Sequence, residues 1–185
     1  MTDNSHTNWQ TPEELQTLIT QLVSFDSRSG TSGEVGFPHF IKDKLLTLPY
    51  FKTHQERLYL VDSDEDRHAL AAHYKADDTK DTVILISHFD VVHTKEFGDL
   101  EEIAFDVEKL TEAIAERKES FNATIKSDIE SDDYIFGRGI MDMKMGLALH
   151  MSLLELASIE EWPLNIILVT VPDDCLLYTS PSPRD

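Results

Sequence analysis

The sequence predicts an α/β fold in which helices pack in three layers, α/β/α, around a mixed, mostly parallel sheet. Four apolar runs at 58–61, 68–74, 83–86 and 164–171 have the length and composition of strands. Stretches with helical spacing of apolar residues alternate with them, which is typical of α/β proteins. A helical stretch also leads into the last strand through a short connection, as in a βαβ unit with parallel strands.

Length and composition indicate one globular domain. The chain has 185 residues, of which 41% are hydrophobic and 28% charged, which is ordinary for a soluble protein. Its formal charge of -19 disfavours binding to nucleic acid and to anionic membranes. The single cysteine, Cys175, excludes an internal disulfide and a site with several thiolate ligands. Without a signal-like start or a membrane-length apolar run, we expect a cytoplasmic protein.

The first helix has a clear start signal. Thr11 suits the N-cap, Pro12 the first helical position, and Glu14 can reach back to the N-cap amide to complete a capping box. Apolar residues then recur at helical spacing. We expect this helix to end near Phe25.

A Ser- and Gly-rich stretch at 27–33 predicts a loop, followed by a second helix at 34–46. The side chains that we expect this helix to bury are Val35, Phe40, Ile41 and Leu45. The run at 83–86 is continuous and β-branched, which predicts a central strand covered on both faces. Its hairpin-length connection to the strand at 68–74 suggests that these two strands pair antiparallel.

Residues 94–133 behave as an acidic insertion, with thirteen acidic and five basic residues. Within it, Asp106 can cap a helix in which Phe105 packs on Leu110. One interpretation is a surface excursion with a solvated acidic face, and the other is an element that shapes substrate access.

A further helix begins near Lys144 and is apolar around much of its circumference. Its two apolar rows are Leu147, Met151 and Leu154, and Leu149, Leu153 and Leu156. Because both rows are apolar, we expect this helix to be well buried.

The strand at 83–86 leads into His88 and Asp90. Since alternate residues of an extended backbone point to the same side, both side chains should face one site at the carboxyl end of the strand. A histidine that ligates a metal needs its second ring nitrogen oriented, and a carboxylate two residues away can do this. A purely structural histidine is the alternative.

Asp142 follows the turn Gly137-Arg138-Gly139 at the start of the later helix. One interpretation is an N-cap, because aspartate there would bond the free amides of the first turn. The other is a metal ligand whose two oxygens bridge two cations.

A third acidic cluster, Asp173 and Asp174, ends the last strand after Val171-Pro172. Each cluster alone has an ordinary structural explanation. Three such clusters at the ends of three apolar strands are hard to explain as coincidence, and together they favour a metal site.

Three segments resemble, in order and spacing, the motifs of a dizinc metallohydrolase family, peptidase family M20. They are Ser-His-Phe-Asp-Val-Val at 87–92, Gly-Arg-Gly-Ile-Met-Asp-Met-Lys at 137–144 and Val-Pro-Asp at 171–173. The family includes acetylornithine deacetylase, succinyl-diaminopimelate desuccinylase, aminoacylase and glutamate carboxypeptidase. The segment at 136–143 and the acidic insertion are most similar to its arginine utilisation branch of the RocB type.

This resemblance implies a truncated zinc exopeptidase-like fold in which 1–174 is the N-terminal part of the catalytic domain. It implies two zinc ions, with cobalt or manganese as alternatives. His88 would ligate one ion, Asp90 would orient His88, and Asp142 would bridge both ions. Asp174 occupies the position of the family's general-base glutamate. The resemblance also implies a cis peptide after Asp142.

The last residues, 175–185, resemble the translation of a sequencing-library adapter. We therefore expect them to be a non-native tail on a longer parent protein. In that reading frame a native codon for aspartate or glutamate would read as aspartate at 174, so we expect glutamate there in the parent.

Taken together, the sequence predicts that the parent hydrolyses an amide or peptide-like bond of a small amino-acid-derived or peptide substrate. By resemblance the parent could form a homodimer. This chain, which has two of five expected metal ligands, should be inactive. Two alternatives are a catalytically idle binding or regulatory protein on the same fold, and a serine hydrolase that uses Ser87 with His88. The latter is disfavoured because neighbouring strand residues point to opposite faces.

Overall fold

A computed structural model describes residues 7–63 and 66–172, which form a four-stranded sheet with helices packed against it. The α-helices are α1 (Pro12–Ser24), α2 (Ser32–Leu45), α3 (Pro49–Thr53), α4 (Val107–Glu116), α5 (Ala123–Glu130) and α6 (Met145–Ile159), and the strands are β1 (Leu58–Asp62), β2 (His68–Tyr74), β3 (Thr82–His88) and β4 (Asn165–Val171). Within the described ranges no helix has the length and apolar character needed to cross a bilayer. The predicted tail at 175–185 lies outside the described residues.

The sheet is mixed, as predicted, with strand order β1-β2-β4-β3. The β1 and β2 strands pair antiparallel, as do β2 and β4, whereas β3 and β4 pair parallel. Antiparallel pairs therefore outnumber parallel ones among the described strands, and the expectation of a mostly parallel sheet is not met there. The expectation that β2 and β3 are direct neighbours was wrong, because β4 lies between them. The crossover through α6 returns the chain beside β3, where β4 gains a strand partner on each side.

The helices in the described part of the chain cover one face of the sheet. On that face Leu70, Ala72 and Leu168 are fully buried, whereas on the other face Ile84 and Ile86 are 58% and 66% exposed. The prediction that 83–86 is a central strand covered on both faces was therefore wrong. Its β-branched composition reflects strand propensity, but the strand stands at the sheet edge, and two of the three predicted layers are present in the described residues.

Helix α1 begins as its capping signal predicts. The Thr11 hydroxyl accepts from the Glu14 amide, and the Glu14 carboxylate accepts from the Thr11 amide at 3.1 Å. Leu18 and Leu22 on the inner face are buried. Together these contacts fix the start of the helix and the face that it turns to the sheet.

Helix α2 buries Ile41 and Leu45, as predicted, but not the other two predicted residues. Phe37, Ile41 and Leu45 are fully buried, whereas Val35 and Phe40 are half-buried. Pro38 lies within the helix and is also buried. The apolar pattern alone did not show which side faces the core, because Phe37 and Phe40 are both plausible core residues.

Helix α6 lies over the sheet and against α1. Leu147, Met151 and Leu154 are buried as predicted, but Leu149 in the second apolar row is 44% exposed. In this helix the sequence pattern did not predict the burial of Glu155. The Glu155 carboxylate accepts from the backbone amides of Asn8 and Trp9.

Helices form much of the acidic insertion, and α4 packs against α1. As predicted, Asp106 caps α4 by accepting from the Lys109 amide at 3.1 Å. The insertion is also tied to the segment that precedes α6, because the Arg138 amide donates to the Ala104 carbonyl at 2.8 Å.

Candidate metal centre

The carboxyl end of β3 brings His88 and Asp90 together on one side, as their alternation predicted. His88 Nδ1 lies 3.1 Å from Asp90 Oδ1. The Asp90 side chain is 1% exposed and that of His88 is 11% exposed. A buried carboxylate at this distance can hold the imidazole in one orientation.

The segment before α6 brings Asp142 to the same place. Gly139 adopts φ 78°, and a Cβ there would collide with the Val91 side chain. The peptide between Asp142 and Met143 is cis, as the resemblance implied. Lys144 occupies the N-cap position of α6, so the interpretation of Asp142 as the helix cap was wrong.

Asp142 points into the open side of the site and approaches the imidazole from the other edge. Its Oδ1 lies 2.9 Å from His88 Nε2, and its side chain is 84% exposed. The His88 ring therefore stands between two carboxylates, one buried and one accessible.

This arrangement suits a cation. When Asp90 accepts from Nδ1–H, the Nε2 of a neutral imidazole carries a lone pair that faces a carboxylate oxygen. Two acceptors at 2.9 Å repel each other unless a proton or a metal ion lies between them. Imidazole nitrogen and carboxylate oxygen are both zinc donors, so the two residues fit part of a zinc site.

The described ranges do not hold a complete site. Among those residues there is no group of three or more His, Cys, Asp or Glu side chains that could hold a metal ion. Asp173 and Asp174, which the sequence assigned to the third cluster and to the base position, lie outside the described residues.

The two motifs line a cleft of about 410 Å³. Its walls include Val92, Tyr134 and Met141, and the last two are 50% and 74% exposed. A concave surface with apolar walls and a few convergent polar groups is typical of a site for a small molecule.

Lys144 follows Asp142 by two residues and is fully buried. Its Nζ donates to the Phe25 carbonyl at 2.7 Å and lies 4.8 Å from the centre of the Phe37 ring. Burial lowers the pKa of Lys144 to about 7, against the opposing effect of the Asp26 carboxylate. The sequence pattern indicated a helix start at Lys144 but predicted neither its burial nor its contact with the Phe25 carbonyl.

The serine hydrolase alternative lacks the required geometry. Ser87 is 2% exposed and pairs in register with Thr170, which is fully buried. Its Oγ has no hydrogen-bond partner among the described residues. The His88 ring nitrogens instead face Asp90 and Asp142, so Ser87 is not placed as an activated nucleophile.

Known proteins are similar to this chain in sequence or in fold. No family model matches the chain. It is 40% identical over 167 residues to the uncharacterized protein YqjN of Bacillus subtilis, covering 90% of this chain and 30% of YqjN. It is 33% identical over 168 residues to protein RocB of the same organism, covering 88% of this chain and 29% of RocB. An M20 family metallo-carboxypeptidase from Sulfolobus solfataricus superimposes with a TM-score of 0.59 at 18% identity, over 88% of this chain and 31% of that enzyme.

The chain is a RocB homologue with an M20-like fold. The mixed α/β architecture implied by the resemblance is therefore confirmed. The chain spans about 30% of the length of the curated relatives that it matches. In this fold His88 is the last residue of β3 and Asp90 follows two residues later, while Asp142 belongs to the segment that precedes α6.

The sequence predicted a loop between α1 and α2 but not the contacts that this connection makes with the site. Ser29 in this connection donates to Asp90 Oδ2 at 3.0 Å. Glu34 is 1% exposed although it is charged, and it accepts from the Gly30 amide at 2.7 Å. A glutamate directly after a Ser- and Gly-rich run, on the inner face of a helix, was the available signal.

Proposed function

We propose that the parent protein of this chain is a zinc-dependent hydrolase of amide or peptide-like bonds. The observation that carries the proposal is the His88 imidazole held between buried Asp90 and accessible Asp142. The M20-like fold and the homology to RocB support it.

In this proposal each residue has one role. Asp90 accepts from His88 Nδ1–H and thereby directs the Nε2 lone pair into the cleft. The exposed Asp142 carboxylate offers two oxygens to the same space. When bound, two zinc ions would supply Lewis acidity that polarises the scissile carbonyl and activates water. The residue at 174, which we expect to be glutamate in the parent, would take a proton from water and deliver it to the leaving amine.

The cleft and the resemblance support a proposal for the substrate class. A cleft of about 410 Å³ suits a small amino-acid-derived or peptide substrate, and the RocB homology favours an arginine-related compound. The charge of -19 disfavours nucleic acid and anionic membranes as partners. We further propose that the parent is cytoplasmic and forms a homodimer.

The 185-residue chain itself should not turn over substrate. It supplies His88 and Asp142 as donors, and Asp174 is shorter than the expected glutamate by one methylene. Misplacement of a catalytic group by about 1 Å can cost on the order of 100-fold in rate. Missing ligands would weaken zinc binding further.

The test is an activity assay on the parent protein, expressed from its uninterrupted reading frame. We expect hydrolysis of N-acyl amino acids or dipeptides that a chelator abolishes and zinc restores. His88→Ala should abolish turnover, and Asp90→Ala should lower it by about 10- to 100-fold.

His93→Ala is the matched control, because His93 is an exposed histidine nearby that is outside the proposed ligand set. Turnover that survives both the chelator and His88→Ala would overturn the proposal. A parent that binds these compounds without turnover would instead support an idle binding protein.

A further inference from the structure

Residues 25–29, which lie in the connection between α1 and α2, contact the end of β3 through backbone groups and through the Ser27 hydroxyl. The Ser27 hydroxyl donates to the Phe89 carbonyl at 2.6 Å. The Val91 amide donates to the Ser27 carbonyl, and the Ser29 amide donates to the Val91 carbonyl, both at 3.1 Å. These bonds form a short parallel bridge between this connection and the segment that carries Asp90.

Ser29 extends this contact to the buried carboxylate. Its hydroxyl donates to Asp90 Oδ2 at 3.0 Å, whereas Asp90 Oδ1 faces His88. Because the Asp90 side chain is 1% exposed, water cannot readily replace a lost donor. A hydrogen bond to a buried charged group is among the stronger ones in proteins.

The same connection also contacts the segment that carries Asp142. Lys144, two residues further on, donates from Nζ to the Phe25 carbonyl at 2.7 Å and is fully buried. Residues 25–29 thus contact both halves of the candidate site, through the Ser27 and Ser29 hydroxyls and backbone groups on one side and through the Phe25 carbonyl on the other. None of these residues lines the cleft.

The shape of the connection is itself tightly constrained. A Cβ at Gly33 would collide with the Asp26 carbonyl, so the chain turns back closely on itself. Buried Glu34 accepts from the Gly30 amide, and its other oxygen lies 3.6 Å from Arg67 Nη1. These contacts therefore fix the backbone geometry of the connection.

We propose that residues 25–29 act as a brace that positions both halves of the metal centre, with Ser29 as a positioning residue that holds Asp90 against His88. This inference rests on the proposed function for its purpose. In physical terms, Asp90 and Asp142 compete to accept the single N–H hydrogen bond of the neutral His88 ring. The hydrogen bond from Ser29 holds Asp90 in place and so favours Asp90 as the acceptor.

The test measures the tautomer of His88 in the metal-free 185-residue chain by ¹⁵N NMR, at a pH where the ring is neutral. We expect the Nδ1–H form to dominate. Ser29→Ala should shift the tautomer ratio toward Nε2–H by about tenfold, because Asp90 loses a donor that fixes its orientation. Ser29→Thr keeps the hydroxyl and should therefore keep the tautomer ratio of the original chain.

Ser32→Ala is the matched control, since Ser32 is an exposed serine at the start of α2. Ser29→Cys, which is similar in volume and a weaker donor, should shift the ratio in the same direction as Ser29→Ala and replaces it if that variant does not fold. An unchanged ratio in the folded Ala or Cys variant would overturn the proposal.

A second measurement separates the brace from the proposed function. In the parent, Ser29→Ala should weaken zinc binding by about tenfold, in the range known for outer partners of metal ligands. If the parent binds no zinc, the proposed function fails, while the tautomer ratio still tests the brace. If zinc affinity is equal in Ser29→Ala and Ser32→Ala, the positioning role fails.

Discussion

Substitution of Lys144 by methionine should change how the stability of the chain depends on pH. Burial lowers the pKa of Lys144 from 10.5 to about 7. Between these values the unfolded chain binds a proton that the folded chain does not, so raising the pH favours the folded state. This contribution is fully present above the unfolded pKa and is lost as pH falls toward the folded pKa.

The magnitude follows from the two pKa values. Linkage predicts that the free energy of unfolding gains about 2 kcal/mol between about pH 7 and about pH 9 from this one group. Lys144→Met removes the titrating group and should remove this gain. It also leaves the Phe25 carbonyl without its donor, which costs about 1 to 3 kcal/mol. That cost has little dependence on pH. The change in the free energy of unfolding with pH, and not its absolute value, therefore tests the pKa of Lys144.

The assay is urea unfolding of the original chain and of Lys144→Met at a series of pH values. The difference in unfolding free energy should grow with pH in favour of the original chain. Lys52→Met, at an exposed lysine of α3, is the matched control and should run parallel to the original chain. Parallel curves for Lys144→Met would refute the reasoning that burial lowers this pKa.

Three further outcomes are expected. Glu155→Ala should destabilise the chain by about 3 kcal/mol in urea unfolding, because it leaves buried amides near the N-terminus without an acceptor; a loss below about 0.5 kcal/mol would contradict this role. The double variant Ile84→Glu, Ile86→Lys should self-associate less than the original chain in analytical ultracentrifugation, since both side chains form exposed apolar surface. Equal self-association of the variant and the original chain would show that this surface does not mediate it. Gly139→Ala should cost more than about 1 kcal/mol in thermal unfolding, because φ is positive and the new Cβ would meet Val91; unchanged stability would show that the turn can relax.

Local signals predicted much of this fold. The Thr11 capping box fixed the start of α1 through bonds within a few residues. Strand positions were predicted because apolar length and β-branched content act locally. The alternation of His88 and Asp90 also predicted their shared side, since strand geometry alone determines it.

Long-range pairing determined what the sequence could not predict. The order of β2, β4 and β3 depends on which strand the crossover returns beside, and no residue of β3 encodes that it lies at the edge of the sheet formed by the described strands. The role of Ser29 was missed for a similar reason, because its partner Asp90 is 61 positions away. The partner of Lys144, the Phe25 carbonyl, is 119 positions away.

The most direct test of the central claim is the number of zinc ions bound per chain of the parent protein, measured by elemental analysis after removal of loosely bound metal. We predict two zinc ions per chain, with losses in His88→Ala and Asp142→Ala and none in His93→Ala. Full zinc content in both the His88 and Asp142 variants would contradict the claim that these residues hold the metal.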